Sequence, residues 1–190
     1  MPSSPLFIGA MSGTSLDGLD LALCAINNES HNHLTLEATH FAAMPDTLRK
    51  DLYLLCHAES VSINFLYQTE QQYSRFCVGA IKHFMQKNAI NKEQVKALGI
   101  HGQTIRHHPE LKPAFTVQIA DLSYIAAHTN ITTIGDFRSK DIAFGGQGAP
   151  LTPAFHQAVF SSPVKGRVIA NIGGISNISI LQENQVQGFD

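Results

Sequence analysis

An apolar run, Leu6-Phe7-Ile8-Gly9-Ala10, feeds directly into a polar, glycine-bearing segment from Ser12 to Asp17. A second apolar stretch follows, in which Leu19, Leu21 and Leu23 alternate. Period-two alternation on either side of a turn-forming segment predicts strand, turn, strand. A third strand is expected over roughly Thr35 to Ala42, after a polar turn around Asn27 to Asn32. Three strands joined by turns predict an antiparallel meander at the N-terminal end. The pattern then changes period. Asp46 to His57 reads as a short helix after Pro45. From Ser62 to Lys87, Phe65, Leu66, Tyr73, Phe76, Cys77, Ala80, Ile81 and Phe84 fall on one face at helical spacing. An aromatic stripe of that spacing is what burial requires, so it is read as core rather than as a ligand-binding wall.

Shorter elements complete the chain. Strands are expected at Val95 to Ile100, Phe115 to Ile119, Ile131 to Ile134, Arg167 to Asn171 and Asn177 to Leu181. Helices are expected at Leu122 to His128 and near Pro153 to Phe160. Strand–helix–strand units after a meander place the chain in the α/β class. The first strand–turn–strand unit is echoed late in the chain around Gly173-Gly174, so a second lobe is expected to begin near Val164. The expected division is 1–162 and 163–190, the second lobe being incomplete.

Composition removes several function classes. The formal net charge is −2 and no basic stripe is visible, which argues against a general nucleic-acid binder. No segment approaches the roughly 20 apolar residues of a membrane span. The N-terminus lacks the basic and apolar regions of a signal peptide. Cys24, Cys56 and Cys77 are widely spaced in apolar-periodic segments, which favours buried free thiols in a reducing cytoplasm.

Four segments could carry chemistry. In Ser12-Gly13-Thr14-Ser15-Leu16-Asp17-Gly18-Leu19-Asp20, glycines let backbone amides approach an anion, and Thr14 and Ser15 add hydroxyls. Asp17 and Asp20 could hold magnesium through water. A plain turn rich in Ser, Thr, Gly and Asp remains the alternative. There is no GxxxxGK[ST] and no GxGxxG after a strand, so neither a P-loop nor a Rossmann site is expected. His101-Gly102-Gln103-Thr104-Ile105-Arg106-His107-His108 sits at a strand's carboxyl end, where open α/β sheets bind ligands. Gln103 and Arg106 suit carbohydrate or anion contacts, whereas the histidine spacing is poor for a metal. Asp136-Phe137-Arg138-Ser139-Lys140-Asp141, followed by Gly145-Gly146-Gln147-Gly148, reads either as a ligand crevice or as a surface turn. Asn171-Ile172-Gly173-Gly174-Ile175-Ser176-Asn177 reads either as a hairpin turn or as a second phosphate-facing turn.

Together, IGAMSGTSLDGLD (8–20), GIHGQTIRHHP (99–109), TVQIAD (116–121), IGDFRSKDIAFGGQGAPLTPAFH (134–156), NIGGISNISIL (171–181) and GFD (188–190) resemble the anhydro-N-acetylmuramic acid kinase family, in the family's order across the chain. The resemblance implies an α/β, actin-like (ribonuclease H-like) ATPase lobe with a mixed sheet and flanking helices, and a truncated second lobe. It implies an ATP-dependent kinase that opens the 1,6-anhydro ring of anhydro-N-acetylmuramic acid with water. The same reaction phosphorylates the 6-oxygen, giving N-acetylmuramic acid 6-phosphate in cell-wall recycling. ATP and Mg2+ are the implied cofactors. The implied partner is the small sugar, with no nucleic acid and no membrane, and the resemblance leaves room for a homodimer.

Residue by residue, Gly13, Thr14, Ser15, Leu16, Asp17, Gly18, Leu19 and Asp20 match the family's ATP-phosphate loop. Gly173 and Gly174 resemble the second phosphate loop. Asp190 matches the aspartate of a Gly-Phe-Asp-x-Gly-Pro-Gly-Asn segment, which serves as general base. Gln103, Asp136 and Arg138 are expected on the sugar side of the cleft. Family members often carry more arginine where this chain has Ser139-Lys140-Asp141. The sequence ends inside the catalytic segment, so these 190 residues alone are expected to bind nucleotide poorly and catalyse little. The rival readings are a non-catalytic actin-like scaffold and another sugar kinase on the same fold.

Overall fold

A computed structural model describes residues 5–27, 34–172, 176–182 and 185–189. The chain divides into two compact units, Met1–His107 with Thr116–Asp136, and His108–Phe115 with Phe137–Asp190. This division by compactness is a different quantity from the lobe boundary expected between 162 and 163, which we retain as a proposal about the whole protein.

The first unit is built on a five-stranded sheet. Strands β1 (Leu6–Met11), β2 (Gly18–Ile26) and β3 (Leu34–Ala43) form the expected antiparallel meander. Strands β4 (Val95–Ile100) and β7 (Thr133–Ile134) extend the sheet in parallel, giving the order β3-β2-β1-β4-β7. A parallel neighbour needs a long crossover. Helices α1 (Asp46–His57) and α2 (Ile63–Lys87) supply the one between β3 and β4. A mixed sheet in this order, with flanking helices, is the ribonuclease H-like lobe expected above.

Register explains the core. Ile8 pairs with both Leu23 and Leu98, and Ala10 with both Leu21 and Ile100, so one sheet face carries two apolar rows across three strands. The α2 stripe meets this core: Tyr73, Cys77, Ile81 and Phe84 are fully buried, and Phe65, Leu66 and Phe76 pack at its margin. Burying each large apolar side chain contributes about 1.5–3 kcal/mol. The three cysteines are free, but only Cys77 is buried, while Cys24 and Cys56 are partly exposed. No helix among the described residues is long and apolar enough to cross a membrane.

Two strands depart from the sequence reading. Gln103 to His108 is not loop but strand β5 (Gln103–His108), which pairs with β6 (Phe115–Ile119) as a two-stranded sheet. The strand read from Ile131 shrinks to the two residues of β7, which pair with Leu98 and Gly99, while the Ile131 amide is taken by Thr129 Oγ1 at 3.3 Å.

Helix α3 (Leu122–Thr129) is capped by Asp121, whose side chain accepts from Tyr124 N at 2.8 Å and from Gln71 Nε2 at 2.6 Å. The Tyr124 amide, followed by the Gln71 side chain, holds the Asp121 carboxyl below its usual range. A depressed folded-state pKa stabilises above the unfolded value and is lost as pH falls through the folded one. Asp121→Ala, which removes the cap and the charge together, is therefore expected to cost about 1 kcal/mol near neutrality. The deficit relative to wild type should shrink as pH drops below about 4, measured as paired denaturation midpoints.

The second unit holds α4 (Ser139–Ala143), α5 (Thr152–Phe160) and a three-stranded antiparallel sheet. Its strands are β8 (Arg167–Asn171), β9 (Asn177–Gln182) and β10 (Gln185–Phe189), in the order β10-β9-β8. Proline in the first turn of α5 suits a position whose amide lacks a helical partner. Ser179 and Leu181 are buried, and Ser179 Oγ lies 2.8 Å from His156 Nδ1 of α5, which marks the covered sheet face. On the other face, Val168, Ile178 and Phe189 remain exposed.

Candidate active site

In the first unit, β1, β4 and β7 run parallel, so the segments leaving their carboxyl ends gather at one edge of the sheet. These segments are Ser12–Asp17 after β1, His101-Gly102 after β4 and Gly135-Asp136 after β7. Ligands of open α/β sheets bind outside that edge. Close packing joins the segments. His101 N donates to Ala10 O at 3.1 Å, and a Cβ on Gly135 would sit 3.0 Å from Ile100 O and 2.6 Å from Leu122 Cδ2.

The Ser12–Asp20 segment separates into anchors and presented groups. Leu16 N donates to Gly13 O at 3.3 Å, which closes a turn. Leu16 is 4% exposed and takes φ +55°, a conformation that costs a branched side chain about 1–2 kcal/mol. Its apolar side chain pins the loop to the core and offsets that strain. Leu19 is wholly buried, and Gly18 passes directly under Phe41 and Ala42 O. Leu16, Gly18 and Leu19 therefore hold the loop, while Thr14, Ser15, Asp17 and Asp20 are exposed. Ser15 Oγ donates to Asp17 Oδ1 at 2.6 Å, and this bond is the main reason the Asp17 carboxyl titrates below its usual range. The result is a surface of hydroxyls, backbone amides and ionised carboxylate on a fixed base.

Beneath the loop lies a polar layer in which Gln103, expected on the sugar side of a cleft, meets Ser12. Ser12 is 2% exposed and Gln103 1% exposed, and the Ser12 hydroxyl donates to Gln103 Oε1 at 2.6 Å. Tyr73 of α2 lies beside Ser12, and Cys77 of the same helix lies beside Tyr73. Burial pushes the Tyr73 phenol well above its usual range and the Cys77 thiol up to about 12, so both stay neutral. The Tyr73 hydroxyl makes no hydrogen bond of good geometry, which leaves Ser12's donor committed to Gln103.

Arg106 is a structural residue rather than a displayed anion contact. Its guanidinium donates to Leu55 O and to Cys56 O at 2.9 Å and Ala58 O at 2.6 Å, all at the carboxyl end of α1. Terminal helix carbonyls have no helical donors, and a cation there also complements the helix dipole. Arg106→Ala is expected to lower stability by about 2 kcal/mol, read from the shift in a urea midpoint. A shift below measurement error would show that water replaces the guanidinium there. Gly102 is required by φ +78° and by Ile119 O, 2.9 Å from where a Cβ would lie.

The other candidates are distributed. Asp136 is exposed with φ +53° in the first unit, and Arg138 precedes α4 in the second. In that second unit, Asp141 organises the glycine loop. Its Oδ2 accepts from Gly148 N at 2.7 Å, and a Cβ on Gly146 would collide with its carboxylate at 2.2 Å. Gly188 passes close to Pro150 and Pro153, where a Cβ would lie 2.8 and 2.5 Å from ring carbons. Gly173, Gly174 and Asp190 lie outside the described residues. Among the described residues, no three His, Cys, Asp or Glu side chains cluster as a metal site.

Comparison with known proteins converges on one family. The family model for anhydro-N-acetylmuramic acid kinase matches residues 5–190. The chain is 48% identical over 192 residues to the anhydro-N-acetylmuramic acid kinase of Shewanella frigidimarina, covering 100% of this chain and 51% of that protein. It is 46% identical over 189 residues to the protein of the same name from Pasteurella multocida, covering 97% and 48% respectively. The corresponding figures for the one from Xanthomonas axonopodis pv. citri are 44% over 189 residues, 98% and 50%. The chain spans about half the length of the curated relatives it matches.

Proposed function

The chain belongs to the anhydro-N-acetylmuramic acid kinase family, and from that membership we propose that it carries the first phosphate loop of an ATP-dependent anhydro-N-acetylmuramic acid kinase. The observation that carries this reading furthest is the anchored Ser12–Asp20 loop at the carboxyl edge of the sheet, with Thr14, Ser15, Asp17 and Asp20 exposed. Hydroxyls and backbone amides on a rigid base suit a transferring phosphate, because preorganised donors need no reorientation as charge develops.

In the proposed reaction, Asp190 takes a proton from water, and the resulting nucleophile attacks the anomeric carbon of the anhydro sugar. The bond from that carbon to the bridging 6-oxygen breaks, and the released 6-oxygen attacks the γ-phosphate. The products are N-acetylmuramic acid 6-phosphate and ADP, which belong to cell-wall recycling. Gly13, Thr14 and Ser15 contact the phosphates, and Gly173-Gly174 is assigned by resemblance to the second phosphate loop. Asp17 and Asp20 fit an ion held largely through water and phosphate, as magnesium prefers. Magnesium, when bound, would neutralise charge on the phosphates. Asp136 and Arg138 are assigned to sugar recognition. A cytoplasmic setting belongs to the proposal, since ATP is consumed and the cysteines are free thiols.

Sugar-dependent ADP release by the full-length protein tests the reading. Turnover with anhydro-N-acetylmuramic acid, and none with N-acetylmuramic acid or simple hexoses, is the expected pattern. Turnover with an intact hexose instead would assign the protein to another sugar specificity. Arg138→Ala should raise the KM for the anhydro sugar about tenfold, the value of one charge-assisted contact. An unchanged sugar KM and kcat would remove Arg138 from the site.

A further inference from the structure

We propose that Gln103 is a positioning residue of the phosphate loop, acting through Ser12 and Gly13 rather than by touching the sugar. Its carboxamide is almost completely enclosed, at 1% exposure, and its bonding groups are occupied. Oε1 accepts from Ser12 Oγ at 2.6 Å, while Nε2 donates to Gly13 O at 3.2 Å and to Thr104 O at 3.4 Å. An amide side chain offers one acceptor oxygen and two donor hydrogens, so these three bonds leave no donor for a ligand.

The two loop contacts have a specific consequence. Gly13 O is the carbonyl that also receives Leu16 N, so Gln103 supplies the second donor to the oxygen that closes the turn. Ser12 is the residue at which the chain leaves β1, and its buried hydroxyl donates to Gln103 Oε1. Gln103 thus fixes both residues immediately before Thr14 and Ser15, from a strand ninety positions away in sequence. Gly102 makes the approach feasible, because its positive φ turns the backbone from β4 into β5 where a side chain would strike Ile119 O. Donors held by enclosed hydrogen bonds bind phosphate without paying an ordering cost at the moment of binding.

This inference rests on the loop being a phosphate site, and its test separates the two claims. Gln103→Met, Ser12→Ala and the double variant would be made in the full-length protein. Mg-ATP affinity would be measured by calorimetry, and sugar KM and kcat by ADP release. Each single variant is expected to weaken ATP binding about tenfold, with the sugar KM held within about twofold. The double variant should bind ATP no more weakly than the worse single, because both substitutions break one network. Ser12→Ala removes a single hydroxyl and carries the same test should Gln103→Met fail to fold. A raised sugar KM with unchanged ATP affinity would return Gln103 to the sugar site and overturn the proposal. Unchanged ATP affinity in both single variants would overturn it equally. Wild-type protein that binds no ATP would instead overturn the phosphate-loop reading itself.

Discussion

Asp190→Asn in the full-length protein is expected to lower kcat by about 10^2- to 10^4-fold, the range for removing a positioned general base. Asparagine keeps the size and much of the hydrogen bonding of the carboxylate but cannot take a proton from water. Affinity for Mg-ATP should change little, because the assigned phosphate contacts lie on Gly13, Thr14 and Ser15. Single-turnover kinetics with calorimetric ATP binding would check both halves. A variant that retains wild-type kcat would move the base elsewhere in the protein. A variant that loses ATP affinity instead would make Asp190 a nucleotide contact.

The largest effect on stability is expected at Gly18. A Cβ there would lie 2.4 Å from Ala42 O and 2.5 Å from two ring carbons of Phe41. The ring could rotate aside, but the carbonyl belongs to β3, which pairs with β2 from Gly18 to Ile26. Relief therefore requires opening the first pairs of that ladder, beside the place where Met44 N donates to Asp17 O at 2.8 Å. Gly18→Ala is expected to cost about 3 kcal/mol, the upper part of the usual range for overpacking. Gly9→Ala is the matched control, since nothing lies within 4 Å of its Cβ position on the neighbouring strand. Alanine is the better strand residue there, so that variant should be neutral or more stable by about 0.5 kcal/mol. Urea midpoints compare the two directly, and equal midpoints would show that β2 and β3 accommodate the methyl.

Much of this architecture is legible in the order of residues. Alternation at Leu19, Leu21 and Leu23 gives strand β2 with its buried face, and the helical spacing from Phe65 to Phe84 gives α2 with its own. Both are local patterns in which hydrophobicity reports burial. Strand β5 escapes that rule because its inward-facing residues are Gln103 and Ile105, so a buried amide interrupts the apolar alternation. Helix α4 escapes it for a different reason. It is five residues long, mixes both charge signs and has no side-chain cap.

The loop itself could be read, but the division of labour within it could not. Ser12 and Gln103 are 91 residues apart, and Arg106 reaches carbonyls about 50 residues away. Such pairings are decided by the sheet order β1-β4 and by the packing of α1, not by spacing along the chain. Leu16 and Leu19 matched the phosphate loop by motif, yet their side chains serve the core. A motif marks the whole segment that must keep its shape, whereas the groups that can meet a ligand are those left exposed: Thr14, Ser15, Asp17 and Asp20.

Coupled ring opening and phosphoryl transfer would leave its mark in the identity of the sugar product. Full-length protein, Mg-ATP and anhydro-N-acetylmuramic acid would be incubated together and the sugar products identified by mass spectrometry. N-acetylmuramic acid 6-phosphate formed in step with ADP is the predicted result. ADP without a phosphorylated sugar, or a phosphorylated sugar whose anhydro ring is still closed, would contradict it.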